Sequence, residues 1–264
     1  MARRTLGVSP EPRLASIPYP IIHAALGVAA CATAVALRPG AVGLRGTVIG
    51  VSALCLTTAL ILTIYDRLVY PAELRPPAEE IALPVAALGA FSLVLAGTDN
   101  LTTRAVTAGV TVAIWGGLPH LGGIAATGRE GWVLRFLRDA ASIAVLVPVV
   151  LASTIAALPL DLRAAVVLVG VTLVTLDGLR TEAMRLRNGL VLAGLTGLAL
   201  SLVMVGVVRV ATSPGAAASM ILIVWYGFRG VAGSAIVPPR RFGFALEQLA
   251  VVGLALLGVY WVTR

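Results

Sequence analysis

The chain has 264 residues, of which 59% are hydrophobic and 12% charged, with a formal net charge of +8 and a mean hydropathy of +0.98. Soluble domains carry roughly 45–50% apolar and about 25% charged residues, so a water-soluble globule is excluded and a bilayer is the expected solvent. The positive charge is scattered between apolar stretches rather than gathered on one face, which argues against a nucleic-acid partner.

The apolar stretches are dense in Leu, Val, Ala and Gly and lack sustained alternation, so they read as helices rather than outer-membrane strands. In lipid every backbone N–H and C=O must be paired internally, and helices achieve this within one segment. The expected fold is therefore all-α: a polytopic transmembrane helix bundle, one integral-membrane domain over residues 1–264, without a soluble domain. Every basic residue is Arg and none is Lys, a usage that hints at a GC-rich bacterial genome and hence a bacterial inner (cytoplasmic) membrane.

Nine segments approach the roughly 17 to 25 residues needed to cross the hydrocarbon core: 18–37, 46–66, 81–97, 104–122, 140–159, 163–179, 189–211, 215–236 and 243–262. The third, sixth and eighth are the weakest, and eight spans are the fallback. The first has Arg3 and Arg4 before its apolar run, like a signal peptide, and is read as a retained helix. It carries His23, and His120 lies near the end of the fourth. If both belong to one leaflet, two imidazoles at matched depth could ligate a haem or another tetrapyrrole; the plainer reading is a pair of interfacial residues. Cys31 and Cys55 fall inside apolar segments without metal-type spacing and read as packing residues; no metal site is expected.

Between the fourth and fifth segments, "GREGWVLRFLRDAAS" reads as an interfacial helix lying on the leaflet. Trp132 and Phe136 would sit at headgroup depth while Arg135 and Arg138 attract anionic lipid phosphates. After the sixth segment, Asp177, Arg180, Glu182 and Arg185 form a polar cluster in "LDGLRTEAMRLRNGL", read as the connection to the seventh helix. Its "DGLRTEAMR" shares a fragment with the CDP-alcohol phosphotransferase pattern, but no aspartate stands three residues before Asp177 and no acid lies in the following helix, so that pattern is rejected. In the last hairpin Arg229 and Glu247 each intrude into an apolar segment, and an intramembrane charge calls for a partner; the expected pair is Arg229 with Glu247.

No complete catalytic signature emerges, so the leading expectation is an accessory, assembly or scaffold subunit of a membrane complex, or a small transporter, in contact with anionic lipid and other membrane subunits. Two alternatives stand beside it. One is an integral-membrane enzyme acting on a lipid or polyprenyl phosphate, with Arg180, Arg185, Arg229 and Arg240 as phosphate clamps and Glu182 or Glu247 as acid or base. The other is a tetrapyrrole-binding protein using His23 and His120.

With nine spans, 14 of the 20 arginines fall on the side of the N-terminus and 6 on the other, so the positive-inside rule places the N-terminus in the cytoplasm. A reporter fused after Arg187 should accordingly behave as cytoplasmic and one after Arg264 as external. Finding both on one side would remove the odd span number.

Overall fold

The computed structural model describes residues 19–69, 81–126, 132–155, 158–180, 186–211, 213–236 and 242–262. Among them are nine α-helices and no strand: α1 (Tyr19–Ala36), α2 (Pro39–Val69), α3 (Ala82–Gly97), α4 (Leu101–Ala126), α5 (Trp132–Ile155), α6 (Leu160–Arg180), α7 (Leu186–Val210), α8 (Pro214–Ile236) and α9 (Phe242–Val262). Each coincides with one of the nine apolar segments. By length and composition α2, α5, α6 and α7 contain stretches able to cross a membrane, while α1, α3 and α9 hold shorter apolar stretches.

Local sequence sets the helix ends. Asn100 Oδ1 accepts from the Thr103 amide at the start of α4, and Ser213 Oγ accepts from the Ala216 amide at the start of α8, both in the manner of N-caps. Gly43 interrupts the first turn of α2 at φ 73°, a left-handed conformation that glycine adopts without a Cβ penalty.

The centre of the bundle is α3. Thirteen of its sixteen residues are buried, the pattern of a helix surrounded by protein rather than of one with a single apolar face. It packs against α1, α2, α4, α5 and α6. Because its neighbours cover it, α3 can be short without leaving its ends in hydrocarbon. The main core runs from α3 through α5, α6 and α7 to α8, with Phe91, Leu146, Val171, Met204 and Trp225 among its buried side chains.

The outer faces are as apolar as the core. Ile49, Leu56, Leu60 and Leu68 of α2 and Leu249, Leu254, Leu257 and Trp261 of α9 are all more than half exposed. Contiguous apolar surface on this scale is foreign to a soluble monomer, and the helical, apolar architecture is that of a membrane-embedded protein.

The closest helix pair is α6 with α7, and its spacing depends on Gly197. A Cβ at that position would collide with the Thr172 hydroxyl and lie 2.7 Å from the Leu168 carbonyl oxygen, to which Thr172 donates at 2.6 Å. Gly197→Ala should therefore force the helices apart and destabilise the protein by about 1–3 kcal/mol, the range for overpacking a tight site. A lowered thermal unfolding midpoint in mild detergent checks this, and an unchanged midpoint would show that the contact yields freely.

Candidate functional site

Two of the described ion pairs lie where α5 begins and α6 and α8 end. Successive helical side chains diverge by about 100° around the axis, so the adjacent Arg138 and Asp139 of α5 address different neighbours. Arg138 donates through Nη2 to Asp177 Oδ1 of α6 at 2.6 Å. Asp139 Oδ1 accepts from Arg229 Nη2 of α8 at 2.5 Å. The first pair is almost fully buried, with side-chain exposures of 7% and 3%, whereas Asp139 keeps 47% of its surface.

A second tie links α6 with α8. Trp225 and Arg229 are four residues apart and share a face of α8; the guanidinium carbon lies 5.5 Å from the Trp225 ring centroid, within cation–π range. The buried indole donates to Thr175 Oγ1 of α6 at 3.1 Å. Gly178 leaves space for the guanidinium, since a Cβ there would lie 3.6 Å from Arg229 Cζ. Arg229 thus rests against α6 while its charge is met by α5.

Several sequence expectations fare differently against this geometry. Arg229 meets Asp139; the side chain of Glu247, its expected partner, is outside the described residues. Asp139 lies seven residues into α5 and Arg229 seven before the end of α8, about 10 Å from either end, so the pair shares one depth. Arg138 is not at the lipid interface but 6% exposed beside Asp177, and the stretch from Trp132 belongs to one continuous helix ending at Ile155 rather than to a separate surface helix. Phe136 is 64% exposed, as an interfacial residue would be. The side chains of Trp132 and Arg135 lie outside the described residues.

Asp177 belongs to the last turns of α6 and is 2% exposed, so it leaves the polar connection in which the sequence placed it. Arg180 closes α6, its side chain outside the described residues, as are Glu182 and Arg185 altogether. His23 is completely buried, its ring edge-on to Tyr65 with centroids 6.3 Å apart. The side chain of His120 lies outside the described residues, as does Arg240.

A second feature escaped the sequence reading. A cavity of about 600 Å³ lies between α2 and α6, floored by α3 and reaching Val149 of α5. Of the side chains lining it, only Ser52 and Cys55 carry polar atoms, and the Cys55 thiol faces the Val85 carbonyl at 3.9 Å. Three small residues of α3 on its wall, Ala82, Ala86 and Gly89, recur at helical spacing and were the only available signal. No protein-family model, curated protein or solved structure matches the chain.

What the charged cluster does chemically is neutralise itself. Removing one member of a buried pair strands the other and typically costs 3–5 kcal/mol, while removing both is far milder. Arg138→Gln and Asp177→Asn should each destabilise strongly, and the double variant should recover part of the loss. The Arg229→Gln and Asp139→Asn cycle should show smaller coupling, since Asp139 is about half exposed and its charge is less enclosed than that of Asp177. Thermal unfolding of the wild type and the six variants in detergent checks both cycles, and additive losses would show that the partners do not interact.

Proposed function

We propose that the protein is a nine-span bundle of a bacterial cytoplasmic membrane, N-terminus inside, that acts by binding, as an accessory, assembly or scaffold subunit of a larger membrane complex. The observation that carries this reading is the contrast between the two features above. Ligand sites that perform chemistry bring a few polar groups together in a concave pocket. Here Arg138 with Asp177 and Arg229 with Asp139 satisfy one another, and the large cavity is walled by hydrocarbon. Small residues on the helix faces favour close approach of further helices, which supports contact with other membrane subunits.

The alternative of an enzyme gripping a lipid phosphate needs arginines with unspent donors. Arg229, one of its four proposed clamps, is already committed to a carboxylate and an indole. A small transporter draws its support from the Arg138–Asp177 pair, because ionisable groups within spans often mark ion pathways.

Purification in gentle detergent, followed by mass spectrometry of co-purifying proteins and an absorption spectrum, tests these readings together. Stoichiometric recovery of one or more integral-membrane proteins is the expected result. A monodisperse single polypeptide that turns over a lipid phosphate would overturn the reading, and a Soret band lost in His23→Ala would replace it with tetrapyrrole binding.

A further inference from the structure

We draw no further inference here: the strongest candidate, the apolar groove that α2 and α6 leave between them over α3, carries nothing because nothing in the structure shows what covers it.

Discussion

Arg138 and Asp139, neighbours in sequence and opposite in charge, tie the start of α5 to two different helices, and the packing of α5, α6 and α8 at that end depends on them. A lone charge in hydrocarbon is costly, by about 2.5–3.5 kcal/mol near the bilayer centre on insertion scales, so each must find a counter-charge at its own depth. Asp177 and Arg229 supply those charges from α6 and α8. Once both pairs form, the axial register of α5 against α6 and α8 is fixed, because a shift of one turn would separate both at once by about 5.4 Å. Apolar ridges alone would tolerate such a slip more readily. The pairs therefore contribute specificity of packing even where their net stabilisation is small.

The same three helices carry much of the main core, so the ionic ties and the apolar contacts reinforce one arrangement. Trp225 belongs to both: its ring is buried in the core, its Nε1 donates to Thr175, and Arg229 packs over it. On the opposite side of α3 no comparable ionic tie joins α2 to α6 among the described pairs. There the helices stand apart and leave the groove. The bundle is thus uneven, locked by charge on one side and open to hydrocarbon on the other.

The sequence made the helices legible because apolar length is a one-dimensional property, and its nine apolar segments overlap α1 to α9, although α2 and α5 begin seven and eight residues before the segments predicted for them. Contacts between helices are not written in that dimension. Asp177 looked like part of a hydrophilic loop because Arg180, Glu182, Arg185 and Arg187 follow it, yet it ends α6 as a buried counter-ion. Arg138 looked like a lipid anchor because Arg135 and Phe136 stand beside it in the chain; two residues on from the exposed Phe136, at 100° each, it turns toward α6 and Asp177. Asp139 drew no notice, since its partner is 90 positions away and Glu247 was nearer to Arg229 in the chain. The groove was hidden for the same reason, for it arises where three helices fail to meet.

The central place of α3 also has a consequence for biogenesis. The third helix is made before α5 and α6, yet these later helices cover much of its surface. A nascent α3 must therefore first be solvated by lipid or by the insertion machinery and only afterwards by its own chain. Its side chains, mostly Ala and Leu, suit that temporary exposure because, Ser92 apart, they carry no group that needs a hydrogen-bonding partner while it waits. The main core also takes in α7 and α8, so the native interior can close only after those helices have joined it.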